Sequence, residues 1–241
     1  MKLNSLYAHT LAFLAFAVIP ALPAIGDDQS DPVIPTGSLS ASPSVVQAGT
    51  YPSLEWNITY PETVTEVVEI VDPGVITPKE DLYMDVRVLG ASVSDGHTWR
   101  KVEAWIAADG DYYYDRFFKG TQLEVNPSKI YFTKLVREGE ENHFGGRYIE
   151  SNGQTQTFYH TANTNTINVR ALVNGSSPPN YISAYGQGNI SSFLEPYVDD
   201  QGKIDIGPMD VIYIFDLTHT DPNGWGFDMQ DLVLLVTFRR V

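Results

Sequence analysis

The chain has 241 residues, with 30 acidic against 15 basic side chains, a formal net charge of −15 and no cysteine. A body that negative repels a phosphate backbone, whose protein partners bind it through cationic contacts, so nucleic acid is excluded as a partner. The missing cysteines exclude disulfides, thiol nucleophiles and thiolate metal sites, while the length is enough to bury a core without staples, as one large β domain or two small ones.

Residues 1–26 read MKLNSLYAHTLAFLAFAVIPALPAIG, with Lys2 ahead of an apolar run from Leu11 to Ile25 that Pro20 and Pro23 interrupt. A charged start, a short apolar stretch and small residues before the cut are the parts of a secretory signal peptide. Cleavage is expected after Gly26, with Ala24 as the alternative. The run is shorter than the ~20 apolar residues that span a bilayer, and no later segment resembles a membrane span. The product is therefore expected to be secreted, periplasmic or held at the cell surface. An animal or plant exported domain of this size usually carries disulfides, so a cysteine-free one points to bacterial export. Residues 27–37, DDQSDPVIPTG, form a polar, proline-bearing flexible lead.

In residues 53–60, Leu54, Trp56, Ile58 and Tyr60 alternate with Ser53, Glu55, Asn57 and Thr59, the period of a half-buried strand, and AGTYP just before them is turn chemistry. A short strand, a small-residue turn and a second strand with a central Trp resemble the opening of bacterial immunoglobulin-like domains. That resemblance covers about twenty residues. It implies a β-sandwich with Trp56 turned inward, and it carries no catalytic motif.

The same grammar continues in β-branched and aromatic runs at 64–71, 81–91, 97–107, 112–118, 121–125 and 129–136, separated by DPG, SDG, ADGD and NPS. Gly supplies positive φ and Pro presets its own φ in such turns. ADGD, between Trp105 and Tyr112, and SNG at 151–153 are hairpin signals. Further runs follow at 146–150, 154–160, 166–172, 202–207, 210–217 and 232–238. Helix evidence is limited to 190–198, where Ser191 or Ser192 can cap one turn before Pro196 ends it. The expected fold is all-β, an immunoglobulin-like antiparallel β-sandwich. Its units are an N-terminal sandwich over 38–137, a polar, glycine-rich boundary at 138–146 and a C-terminal β domain over 147–241, or one larger sandwich with 138–146 as a loop.

Residues 211–215 and 232–238 are apolar at consecutive positions, the pattern of strands covered on both faces or lying at a domain interface. They are expected to be neighbours, joined by a long loop over 218–231 that Trp225 and Phe227 hold together as its own small core. That loop also holds the best cation candidate: Asp221, Asn223, Asp228 and Asp231 supply the hard oxygens that calcium prefers. The EF-hand template fails there, since Trp225 and Leu232 stand where oxygens are needed. DPNG is equally a turn whose Asp and Asn bond their own backbone. DDQGKID at 199–205 fails the same template and reads as a turn into a strand.

The aromatic group Trp99, Trp105, Tyr112, Tyr113, Tyr114, Phe117 and Phe118 raises a second possibility, sugar stacking on a sheet face. Alternation lets only Tyr112 and Tyr114 share a face, and cross-strand aromatics are also ordinary sheet stabilisers. For catalysis there is no nucleophile elbow and no HxH or HExxH pair, and Glu138, Glu140, Glu141 and His143 read as a solvated loop. The sequence thus describes an exported, acidic, non-catalytic binding or structural module with no resident cofactor. Its partner would be a protein or a polysaccharide; the alternative is a carbohydrate-binding module or glycoside hydrolase accessory protein.

Overall fold

Apolar residues on alternate positions become a core only where a second layer covers them, and in this chain two sheets provide the cover. The computed structural model describes residues 35–42, 49, 51, 53–94, 96–108, 110, 113–178, 191–224 and 226–241, the side chains of 191 and 192 excepted. Residues 1–26, read from the sequence as a signal peptide, and Tyr112 and Trp225 lie outside the described residues. In chain order the strands are β1 (Thr36–Ser42), β2 (Ser53–Thr59), β3 (Val68–Val71), β4 (Val75–Pro78), β5 (Leu82–Ala91), β6 (Lys101–Ala107) and β7 (Asp115–Gly120). They continue with β8 (Ile130–Val136), β9 (His143–Ile149), β10 (Tyr159–His160), β11 (Val169–Val173), β12 (Asp210–Phe215) and β13 (Leu232–Arg240). Among the described residues there are also two one-turn helices, α1 (Val64–Val67) and α2 (Ser191–Leu194), and 3-10 turns at Gln122–Glu124 and Glu195–Tyr197.

The fold is an all-β sandwich. A five-stranded sheet in the order β11-β12-β13-β5-β8 packs on a four-stranded sheet in the order β10-β9-β6-β7, and all the pairings are antiparallel. Val86, Val88, Tyr213, Leu234 and Phe238 from one sheet meet Val102, Ala104, Ile106 and Phe144 from the other in a shared core. The rings of Phe144 and Tyr213 approach to 4.5 Å between centroids. Both sheets take strands from either side of residues 138–146. The segment that reads as a boundary is a turn running straight into β9, so these strands build one sandwich.

The continuous apolar runs have the two-sided cover that their pattern calls for. Val211, Tyr213 and Phe215 of β12 face the four-stranded sheet, while Ile212 and Ile214 face a second cluster with Leu172, Leu194, Ile204, Phe227, Met229, Val233 and Leu235. Residues 193–206 and 227–229 thus roof the outer side of the five-stranded sheet. Phe193 fits only because Gly90 lies beneath it: a Cβ there would stand 2.8 Å from the ring. Phe227 belongs to this roof and not to a private core of its loop. Residues Asp210–Phe215 and Leu232–Arg240 pair directly, from Phe215 opposite Leu232 to Asp210 opposite Thr237.

Local chemistry redirects several of the expected strands. In 64–71 the first turn is helical because the Glu66 carboxylate accepts the Thr63 backbone N–H at 2.6 Å, the reciprocal half of a capping box. Thr121 and Glu124 repeat the device at 2.8 Å and turn 121–125 into a 3-10 turn. Residues 202–207 contribute an isolated bridge, Val198 to Ile204, and no strand. β4 carries no period-two signal, being four residues that close a DPG turn. At that turn Gly74, with φ of +144°, lets Tyr213 come close enough to donate its hydroxyl to the Gly74 carbonyl at 2.6 Å.

Strands β1 and β2 form a separate two-stranded hairpin in register from Thr36 opposite Thr59 to Ser42 opposite Ser53. Every residue in both strands is exposed. Trp56, which the resemblance turns inward, is 70% exposed and packs into neither core cluster. Among the described residues no helix is long and apolar enough to cross a membrane.

Candidate functional site

The outer face of the four-stranded sheet is built by simple alternation. In β6, Val102, Ala104 and Ile106 enter the core, so Glu103 and Trp105 point out. Glu103 pairs with Lys119 and Arg147, and Trp105 with Arg116 and Gly145, in the neighbouring strands. Although it points outward, Glu103 is only 1% exposed, because three cations close over it. Arg116 donates Nη1 to Oε1 at 2.5 Å, Arg147 donates Nε to Oε2 at 2.7 Å, and the Lys119 ammonium lies 3.2 Å from Oε1. Burial pushes the Glu103 carboxyl up, but the bonds from Arg147, Lys119 and Arg116 outweigh it and hold the group below the usual carboxylate range.

Trp105 carries the same cations on its ring. The guanidinium carbons of Arg147 and Arg116 lie 5.1 and 5.5 Å from its centroid, within cation–π reach. Across the strand, Gly145 leaves an open floor, and Phe158 fills it: a Cβ on Gly145 would stand 2.3 Å from the Phe158 ring. Phe158 meets Tyr114 at 5.0 Å and Trp105 at 6.3 Å edge-on, and stacks on His160 at 5.4 Å. The indole N–H of Trp105, the hydroxyl of Tyr114 and the Nδ1 atoms of His143 and His160 are buried on this face without a hydrogen-bond partner. Burial pushes the Tyr114 hydroxyl up to about 12. It holds the His160 imidazole below its ordinary value, with His143 adding to the effect, and lowers His143 against the opposing pull of Glu141. Both imidazoles are thus neutral at physiological pH.

Gly145 and Gly146 read as boundary glycines, yet they sit mid-strand and each serves one face. Gly145 admits Phe158 outside, and Gly146 admits Leu232 inside, where a Cβ would lie 2.7 Å from the Leu232 methyl. The sequence signal for this face is the HFGGR run together with the outward positions of β6.

Of the stacking pair, Tyr112 lies outside the described residues, and Tyr114 packs half-buried against Phe158 and His160 with its hydroxyl inside. It offers no flat, open platform. Phe118 is buried in the core and Phe117 packs against it, while Trp99 and Tyr113 are exposed.

The oxygen-rich loop splits in two. Asp221 and Asn223 are exposed, and Asp221 accepts the Asn223 N–H at 3.0 Å in its own turn. Asp228 and Asp231 are buried and join Asp216, which the sequence reading does not single out. Asp216 accepts the His219 N–H at 2.7 Å and the Asp228 N–H at 2.9 Å. Asp231 accepts the Leu217 N–H at 2.7 Å. The carboxylates thus stitch the loop ends together through backbone donors. Burial pushes Asp228 up to about 6, with the Asp216 charge adding to it, and drives Asp231 well above the ordinary range, with Asp216 and Asp228 contributing. The described residues contain no group of three or more His, Cys, Asp or Glu side chains arranged to hold a metal ion.

No protein-family model matches the chain, and no curated protein or solved structure is found to match it.

Proposed function

We propose that the protein is an exported, non-catalytic binding module acting at or beyond the cell surface, and that it holds an acidic polysaccharide against the outer face of the four-stranded sheet. The observation that carries this reading is the cation excess around Glu103. One carboxylate cannot neutralise Arg116, Lys119 and Arg147 together, so two positive charges are left over. In a chain with twice as many acids as bases, a positive spot on a sheet face concentrates anionic ligands. The Arg116 and Lys119 side chains are about two-fifths exposed, so their remaining N–H groups face solvent. A guanidinium matches the two oxygens of a sugar carboxylate. The buried carboxylates Asp216, Asp228 and Asp231 accept backbone N–H groups of their own loop, which supports a structural role for them.

The competing reading is neutral-sugar stacking on Tyr112 and Tyr114, as in a carbohydrate-binding module or glycosidase accessory protein. One experiment separates the two: retention of the full chain on immobilised polygalacturonate and on cellulose, at low and high salt. The acidic polymer alone should retain it, and high salt or the pair Arg116→Ala with Lys119→Ala should release it. Equal retention on cellulose would favour stacking, and no retention on polygalacturonate would sink the reading.

A further inference from the structure

The β1–β2 hairpin sorts its side chains cleanly between its two faces. One face carries Thr36, Ser38, Ser40 and Ser42 beside Ser53, Glu55, Asn57 and Thr59. The other carries Gly37, Leu39 and Ala41 beside Leu54, Trp56 and Ile58, with no charged residue. In a sandwich the second face would be the buried one. Here Leu39 is 52% exposed, Leu54 57%, Trp56 70% and Ile58 49%. An isolated two-stranded hairpin is marginal in water and gains independent stability only when its apolar side is covered.

We infer that a second copy of this chain covers it, through a two-fold axis running along the strands. The argument is the relief of the face. On β1 it is low, with Gly37 and Ala41 on either side of Leu39; on β2 it is tall, with Leu54, Trp56 and Ile58 in a row. A two-fold parallel to the strands lays the tall row of each copy over the low row of the other, so Trp56 of each copy meets Leu39 of its mate. That is the self-complementarity an isologous interface requires. These four side chains and Tyr60 are exposed and offer roughly 500 Å² per copy, about 1,000 Å² in total, at the lower bound for a specific interface and in the range of weak association. Glu55, the one charge in the two strands, points away from this face, so the strands bring no like charges together across it. The interface uses none of the residues of the cation-rich face.

The test is sedimentation of the full chain from about 1 to 100 µM, for the wild type, Trp56→Glu on the apolar face and Asn57→Glu on the polar face. The two variants add the same side chain to adjacent positions and keep all other segments, so they differ only in the face they alter. The wild type and Asn57→Glu should dimerise alike, and Trp56→Glu should raise the dimer dissociation constant at least about tenfold with the sandwich melting temperature unchanged. Ile58→Glu serves as a second variant and should weaken the dimer in the same direction. A wild type that stays monomeric throughout, or Trp56→Glu and Asn57→Glu variants that sediment alike, overturns the proposal. So does flotation of a monomeric wild type with phosphatidylcholine–phosphatidylglycerol vesicles, which would assign the face to a lipid surface.

Discussion

Asp228 is a single side chain whose charge works against the fold at neutral pH. Its folded value of about 6 lies above the ordinary 3.8, so the native state binds the proton more tightly than the unfolded chain does. The resulting stabilisation is complete below about pH 4 and is lost as pH rises through about 6. A shift of that size corresponds to roughly 2–3 kcal/mol at pH 7.5. Asp228→Asn removes the charge and keeps an oxygen to accept the Gln230 N–H, which Asp228 takes at 3.0 Å. Thermal melts should show a gain of about 1–3 kcal/mol at pH 7.5, several degrees in a domain this size, and little change at pH 4. No gain at pH 7.5 would mean that the three carboxylates do not repel one another as their burial demands. The sequence shows Asp228 and Asp231 as loop acids, and Trp225 and Leu232 at ligand positions argue against an EF-hand. It does not show that Asp216, at the end of a strand, closes the cluster, because the turn that returns Asp228 to Asp216 is a tertiary event. Glu103 is hidden for the same reason: in sequence it is a polar residue on a strand's solvent side, and only the neighbouring strands reveal three cations closing over it.

At the scale of elements, alternation and turn chemistry are readable because each is local. The runs at 81–91, 129–136, 210–217 and 232–238 contain strands, and the two-sided pattern of the last two matches their roofed position. The misreadings are local too. Thr63–Glu66 and Thr121–Glu124 are capping boxes embedded in β-rich composition, and reciprocal hydrogen bonds there outweigh β propensity over three or four residues. Trp56 is different, since alternation correctly gives it an apolar face but cannot say what covers that face. The element on which most of the sandwich depends is β13, hydrogen-bonded to β12 on one edge and to β5 on the other. Its Leu232, Leu234, Val236 and Phe238 all enter the main core. Deleting 232–240 should abolish the cooperative urea transition rather than shift it. The milder Leu234→Ala should cost about 2–5 kcal/mol with cooperativity intact. A deletion that still unfolds cooperatively would show the sheet to be closed without β13.

The whole molecule is a β-sandwich carrying a large negative charge, and three of its cations meet on one sheet face. Self-repulsion on that scale destabilises the compact state and is screened by salt. Raising ionic strength from about 0.05 to 0.5 M should therefore raise the melting temperature by a few degrees while releasing an acidic ligand. A melting temperature that falls with salt would mean that attractive pairs, such as those around Glu103, outweigh the global repulsion. Leu82 pairs with Arg240 and Ala91 with Leu232, so β5 has one neighbour nearby in the chain and another far along it. At ordinary rates of synthesis, about 5–20 residues per second, roughly 7–30 s pass between the appearance of β5 and that of β13. Throughout that interval one edge of β5 is an open row of backbone donors and acceptors, able to pair with any strand that reaches it. That edge closes only when the last strand of the sheet arrives, so the time β5 spends unpaired is set by the length of chain between the two strands.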